Sequence, residues 1–332
     1  MLPLVDTLGR TIDYMRVSVT DRCNLRCRYC MPPEGVPGIA HDDILRYEEI
    51  ERIVRAAAAM GVAKIRLTGG EPLVRRGIVS LVRMLRAIAG VREIAMTTNA
   101  TLLERLSKPL AEAGLDRVNV SLDTLDPARY AEITRGGRLE DALRGLEAAE
   151  AAGLTPIKVN AVVARGMNED SLADLARLTL ERPWSVRFIE WMPLNGDAAA
   201  HAARYIPSAE VRAILERGLG PLRPSAPDGT RSGRGPAVGF RLDGAAGTLG
   251  FISPVSEHFC AACNRLRLTA DGRLRLCLLA EDEVDLRALV RAGATEDDIQ
   301  RALREAVAAK PAGHRLATHI VPTGRHMAEI GG

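Results

Sequence analysis

The chain has 332 residues, enough for about two domains or one large barrel. Its 47% hydrophobic and 26% charged residues exclude collagen-like, mucin-like and wholly disordered chains. A net charge of +3 with only 3% aromatic residues argues against a general nucleic-acid or membrane-surface binder and against an aromatic platform for single strands.

The first two-thirds alternates strand-like and helix-like runs. The predicted strands are Tyr14–Val19, Lys64–Leu67, Glu93–Thr97, Arg117–Leu122, Ile157–Val163 and Val186–Trp191. Helical patterns lie near Tyr47–Met60, Arg76–Ala89, Thr101–Ala113, Leu139–Ala152, Ser171–Glu181 and Ser208–Arg217. Gly61, Gly90, Gly114 and Gly153 mark helix ends, and Ser208 reads as an N-cap. Six β/α units in series predict an α/β fold, a parallel sheet curled into an incomplete (β/α)6 barrel of the TIM type with an open side. The pattern changes near residue 220, so the expected division is a barrel core over 1–220 and a second region over 221–332. Leu222–Pro236 is rich in Pro, Gly, Ser and Arg and reads as a linker or loop. Phe240–Ile252 reads as a hairpin and Thr295–Ala309 as a helix.

No run of about 18 apolar residues predicts a membrane span, and Asp6 interrupts any signal-peptide core, so a cytoplasmic protein is expected. In that reducing setting the cysteines are informative. Cys23, Cys27 and Cys30 form C-x3-C-x2-C; Cys260, Cys263 and Cys277 form C-x2-C-x13-C; no cysteine lies elsewhere. Odd-numbered groups suit disulfides poorly, and zinc usually takes four ligands, or three with His or a carboxylate, whereas the first group has no His within ten residues, the nearest being His41. A 4Fe–4S cluster held by three thiolates keeps one iron free for a small molecule. Two trios therefore predict two such clusters. His314 and His319, separated by four residues, read as structural or surface residues, since the cysteines already supply ligands.

The predicted strand ends are polar, where a parallel barrel carries its chemistry. They bear Thr68-Gly69-Gly70-Glu71-Pro72, Thr97-Thr98-Asn99, Ser121-Leu122-Asp123, Lys158 with Asn160, and Arg187 with Glu190 and Met192. Gly69-Gly70 fits either a turn or the close approach of a backbone or ligand. Arg265 and Arg267 alternate beside the second cysteine group and share one side if extended.

Cys23-x3-Cys27-x-Tyr29-Cys30 and Gly69-Gly70-Glu71-Pro72 resemble the signatures of the radical S-adenosylmethionine (SAM) superfamily. The Phe259–Arg267 stretch, with Arg16–Asn24, Asn119–Asp123 and Arg187–Pro193, resembles its branch that acts on GTP in the first step of molybdenum cofactor biosynthesis. The resemblance covers essentially the whole chain. Ala100 departs from it, standing where that branch usually has Gly.

The resemblance implies a lyase. Cys23, Cys27 and Cys30 would hold the cluster that binds SAM, and Cys260, Cys263 and Cys277 a second cluster that meets the guanine base. SAM contacts would come from Tyr29, Gly70, Ser121 and Met192. GTP contacts would come from Arg16, Arg66, Thr97, Lys158, Arg265, Leu266 and Arg267. Arg16, Arg265, Arg267, Gly331 and Gly332 would be catalytic, with the tail entering the site. SAM would yield a 5′-deoxyadenosyl radical that takes hydrogen from C3′ of GTP, and the C3′ carbon would then bond to C8. The resemblance also implies an electron donor, hand-over of product to cyclic pyranopterin monophosphate synthase as the next enzyme, and a homodimer. Two rivals fit some of the residues: a radical SAM enzyme modifying a peptide or another cofactor, and a zinc-stabilised nucleotide- or RNA-binding module.

Overall fold

In the computed structural model, residues 3–194, 198–225, 235–316 and 321–331 are described. The strands are β1 (Tyr14–Ser18), β2 (Lys64–Thr68), β3 (Glu93–Thr98), β4 (Arg117–Ser121), β5 (Lys158–Val163) and β6 (Ser185–Glu190), then β7 (Arg223–Pro224), β8 (Val238–Arg241), β9 (Thr248–Ile252), β10 (Arg265–Leu268), β11 (Arg273–Arg275) and β12 (Glu283–Asp285). The helices are α1 (Tyr47–Ala59), α2 (Ile78–Arg86), α3 (Leu103–Glu112), α4 (Pro127–Thr134), α5 (Leu139–Ala151), α6 (Leu172–Glu181), α7 (Ala198–Arg204), α8 (Ser208–Leu219), α9 (Leu286–Arg291), α10 (Glu296–Ala308) and α11 (Met327–Ile330).

All the strands form one sheet in the order β12-β11-β10-β1-β2-β3-β4-β5-β6-β9-β8-β7. The run from β10 through β1–β6 to β9 is parallel, and β11, β12, β8 and β7 add antiparallel at its two ends. The barrel is not closed, as the β/α count predicts. The sequence pattern did not reveal that strands from the last third extend the parallel sheet on both edges. Those strands are short and lie far along the chain from their partners, so local periodicity carries no trace of the pairing.

Period-two alternation sets the two faces of the sheet. Met15, Val17, Ile65, Leu67, Val118, Val120, Leu266 and Leu268 are buried in the hydrophobic core. The helices close over that face with Ile50, Ile53, Val54, Leu81, Leu85, Leu110 and Leu146. Residues of the opposite parity face the barrel interior, and they are predominantly polar.

Two local readings change. Ser208 is the first residue of α8 and not its cap; its N–H donates to the Glu190 carboxylate at 2.8 Å. Helix α4 has no strong apolar period and was missed, although Asp126 accepts from the Arg129 N–H and Pro127 sits at the first helical position. Positions 226–234 of the expected linker, His319 and Gly332 fall outside the described residues.

Candidate active site

The interior face of the sheet lines a cavity of about 310 Å³. Its rungs follow from register. Arg267, Arg16, Arg66, Ala95 and Arg117 lie side by side across β10-β1-β2-β3-β4. Arg265, Tyr14, Lys64 and Glu93 form the rung below. On the other side Thr97, Asn119, Lys158 and Ser185 form one rung, and Ser121, Asn160, Arg187 and Gly250 another. One parity choice in β1 thus brings arginines from strands hundreds of residues apart to a single wall.

Acids answer only part of this charge. Glu93 accepts from Arg117 at 3.0 Å, and Asp13 pairs with Lys64 at 3.0 Å. Arg66 lies over the Tyr14 ring at 5.4 Å, and Arg265 over the Phe259 ring at 5.2 Å. Arg267 donates to the Gly331 carbonyl at 3.2 Å. Burial, with repulsion from Arg265, pushes the Arg267 guanidinium down to about 10. Burial, partly offset by Tyr14 and reinforced by Arg117, Arg187 and Arg265, pushes Arg66 down to about 10. Burial and Arg267 push Arg16 well below its ordinary value. Buried polar atoms on this wall lack hydrogen-bond partners among the described residues: Arg16 Nε, Arg66 Nε, Thr97 Oγ1, Asn119 Nδ2 and Asn160 Oδ1. The donors among them, Arg16 Nε, Arg66 Nε, Thr97 Oγ1 and Asn119 Nδ2, ask for an anionic, oxygen-rich ligand, while Asn160 Oδ1 offers it an acceptor.

The first cysteine trio sits in the loop after β1. Gly70 N–H donates to the Thr20 carbonyl at 2.7 Å and Glu71 N–H to the Arg22 carbonyl at 2.8 Å, so the strand-end turn of β2 clamps that loop. A Cβ on Gly69 would sit 2.6 Å from the Thr20 carbonyl oxygen. Close backbone approach, and not a left-handed turn, explains the glycine pair. Glu71 accepts from Thr98 Oγ1 at 2.7 Å and from the Asn99 N–H at 2.7 Å, and burial pushes its carboxyl up to about 7. Cys23 Sγ accepts from the Leu25 N–H at 3.4 Å and faces Asn99 Nδ2 at 4.0 Å. Tyr29 donates to Asp123 at 2.9 Å.

The donor set fits thiolate-held iron. Burial pushes the Cys23 thiol up to about 11 and Cys30 up to about 12, and burial with the neighbouring Cys30 drives Cys27 well above its usual value. Three such groups shed their protons together only against a cationic centre. Among the described residues no three His, Cys, Asp or Glu side chains converge on the position of a single ion. A polynuclear cluster, which offers each thiolate a different iron, does not need them to converge.

The second trio is also assembled. Cys260 and Cys263 share a turn, with the Cys263 N–H donating to the Cys260 carbonyl at 3.1 Å, and Cys277 acts electrostatically on Cys260. Burial pushes Cys260 up; at Cys263 burial is outweighed by Lys310 and Arg265, and the thiol falls below its usual value.

Arg16, Cys23, Cys27, Tyr29, Cys30, Arg66, Gly70, Thr97, Ser121, Lys158, Met192, Arg265 and Arg267 all line the cavity. Leu266 faces the core, fully buried, so its position offers the cavity only its backbone. Gly331 packs into the barrel: a Cβ there would lie 2.8 Å from Thr68 Cγ2 and 3.0 Å from Ser18 Cβ. His314 donates from Nε2 to the Pro254 carbonyl at 2.8 Å, a structural contact. The sequence reading missed Tyr14, Arg117 and Asn119, and left Asn160 and Arg187 without a role. Their signal was available as the parity of Arg16 carried from strand to strand.

This fold and this cysteine-framed cavity define a radical SAM enzyme. Residues 17–179 match the family model of the radical SAM superfamily, and residues 184–316 match that of Molybdenum Cofactor Synthesis C. The fold is similar to that of Streptococcus suis SuiB bound to S-adenosylmethionine, with a TM-score of 0.62 at 15% identity over 100% of this chain and 76% of that one. The GTP 3′,8-cyclase of Pelotomaculum thermopropionicum is 54% identical over 98% of this chain and 99% of its own length. That of Moorella thermoacetica is 51% identical over 98% and 99%. The chain belongs to the GTP 3′,8-cyclase family.

Proposed function

We infer that this chain converts GTP to 3′,8-cyclo-7,8-dihydro-GTP, the first step of molybdenum cofactor biosynthesis. The observation that carries the reading is the wall of under-compensated arginines that shares one cavity with Cys23, Cys27 and Cys30 and ends at Arg265, two residues along the chain from Cys263. GTP brings about four negative charges, which match that wall. When bound, two 4Fe–4S clusters and SAM supply electrons and the 5′-deoxyadenosyl radical that removes hydrogen from C3′ of GTP.

The chain's own residues position and exclude. Cys23, Cys27 and Cys30 hold one cluster; Cys260, Cys263 and Cys277 hold the other. Tyr29, Gly70, Ser121 and Met192 seat SAM, with Asp123 fixing the Tyr29 hydroxyl. Arg16, Arg66, Lys158, Arg265 and Arg267 neutralise and orient GTP, joined by the Thr97 hydroxyl and the Leu266 backbone. Planar guanidinium forks suit phosphate better than ammonium groups do. Gly331 turns the Arg267 guanidinium through its carbonyl, and Gly332 continues the tail. The sheet wall and helix α11, whose Met327 lines the cavity, shield the radical from dioxygen and from stray hydrogen donors.

The division at residue 220 follows the end of α8 at Leu219, which supports a core of β/α units and a second, substrate-facing region. Among the described residues no helix is long and apolar enough to cross a membrane. A reducing cytoplasm, a low-potential electron donor, a homodimer and hand-over to cyclic pyranopterin monophosphate synthase complete the proposal; nucleic acid and membrane are not partners in it. Anaerobic reconstitution tests it. About eight irons per chain and GTP-dependent release of 5′-deoxyadenosine are expected. Reconstitution to about four irons, or release indifferent to GTP, refutes it. Arg265→Ala is expected to keep uncoupled SAM cleavage and lose GTP conversion.

A further inference from the structure

The two cysteine trios lie in surroundings of opposite sign. Around the first, Asp123 faces Cys27 and Cys30, and Glu71 faces Cys23, against Arg26. Around the second stand Arg10, Lys310, Arg265 and Arg267.

Lys310 differs from the other cations there. It is 4% exposed, two residues beyond the end of α10. Its Nζ donates to the Arg265 carbonyl at 2.9 Å and to the Leu276 carbonyl. Those carbonyls flank Cys263 and Cys277 in the chain. No carboxylate pairs with it among the described residues, and the anions in its range are the Cys263 and Cys277 thiolates. A buried ammonium without a counter-charge is costly, so the site makes sense only beside an anionic group. Arg10 plays a different part. Its charge is answered by Asp6, and its guanidinium bolts the Cys260 carbonyl at 2.9 Å to the Pro311 carbonyl at 2.7 Å. That bolt presses the segment carrying Lys310 against the cysteine loop.

We propose that Lys310 is a positioning residue that makes the iron–sulfur group held by Cys260, Cys263 and Cys277 easier to reduce than the one held by Cys23, Cys27 and Cys30. Adding an electron to a thiolate-bound cluster makes it more negative, and a fixed cation in a dry site favours that state. The reductant is a low-potential one-electron donor. The electron so held is available to the cyclised guanine radical, which takes it together with a proton. The proposal rests on the two-cluster reading given above.

The test is a redox titration of the anaerobically loaded enzyme with dithionite and mediators, followed by electron paramagnetic resonance. Cys277→Ser identifies the second signal by removing it. In the unmodified enzyme the second signal is expected at the higher potential. Lys310→Gln is expected to lower its reduction equilibrium at least tenfold, about 59 mV for one electron, with the first signal unmoved and Lys310→Arg restoring it. An unmoved second signal at about eight irons per chain overturns the role of Lys310 alone. If Lys310→Gln fails to load, the order in the unmodified enzyme decides: equal or reversed potentials overturn the proposal. About four irons in the unmodified enzyme overturns the two-cluster reading and the proposal with it.

Discussion

Replacing Gly331 by Ala tests whether the tail is built into the site. Gly331 has φ +80°, a left-handed conformation that costs an L residue about 1–2 kcal/mol. The new methyl would meet Thr68 Cγ2 at 2.8 Å and Ser18 Cβ at 3.0 Å, both on buried residues of the sheet. Overpacking of this kind costs roughly 1–3 kcal/mol. The sum, about 2–5 kcal/mol, is comparable to what holds the tail: burial of Ile330, about 1.5–3 kcal/mol, and the Arg267 hydrogen bond to the Gly331 carbonyl, about 1.5–3 kcal/mol before ordering costs. The tail should therefore leave the barrel while the sheet stays intact. Hydrogen exchange over 326–331 should lose its protection, GTP conversion should fall at least tenfold, and the melting temperature should hold within about 2 °C, because the clash is relieved once the tail leaves and the strands keep their pairing. Wild-type protection and turnover in Gly331→Ala would refute the packing argument.

Arg16→Met should weaken GTP binding by a factor of roughly 10–150, the worth of one charge-assisted hydrogen bond, yet raise the melting temperature without nucleotide by relieving repulsion from Arg267; thermal scans with and without GTP should move in opposite directions, and a lower ligand-free melting temperature contradicts the wall's excess charge. Ala100 is buried at φ +65°, so Ala100→Gly should stabilise the fold by about 0.5–1 kcal/mol in denaturant titration, the strain relieved less the added unfolded-state entropy. Glu49 tethers α1 to α9 through Arg291 Nε at 2.8 Å; burial would raise its carboxyl, but Arg291 and the Arg46 N–H hold it down to about 2. A depressed acid stabilises the fold above its unfolded value near 4.5 and loses that contribution as pH falls toward 2. Glu49→Gln should thus cost about 1–3 kcal/mol at pH 7, discounted for the exposed Arg291, and nothing near pH 2; a penalty independent of pH would show that the charge is not the cause.

The chemistry was legible because it is written in local spacing. Two cysteine trios, a glycine pair ahead of Glu71, and arginines two apart beside Cys263 are short-range patterns, and the chemistry of thiolates and guanidinium groups follows from the residues themselves. The barrel core was legible for a similar reason: helices and parallel strands announce themselves by period, and six such units in series leave few topologies. Ala100 shows how far a single residue can be read, since the departure from glycine at that position corresponds to a left-handed backbone that the sheet tolerates.

What remained for the tertiary structure was every property that depends on distance in space between residues far apart in the chain. Register alone set Arg267 beside Arg16 and Arg66, and so turned scattered cations into one wall. The same register put Leu266 in the core, although it stands between two cavity arginines. The positions of β9 and β10 at the two ends of the parallel run, the entry of Gly331 among Ser18 and Thr68, and the placement of Lys310 behind the second trio arise from long-range packing. A sequence specifies which groups are present and how they alternate; only the curling of the sheet determines which charges must share a buried space, and that sharing sets their pKa values, their ligands and their use.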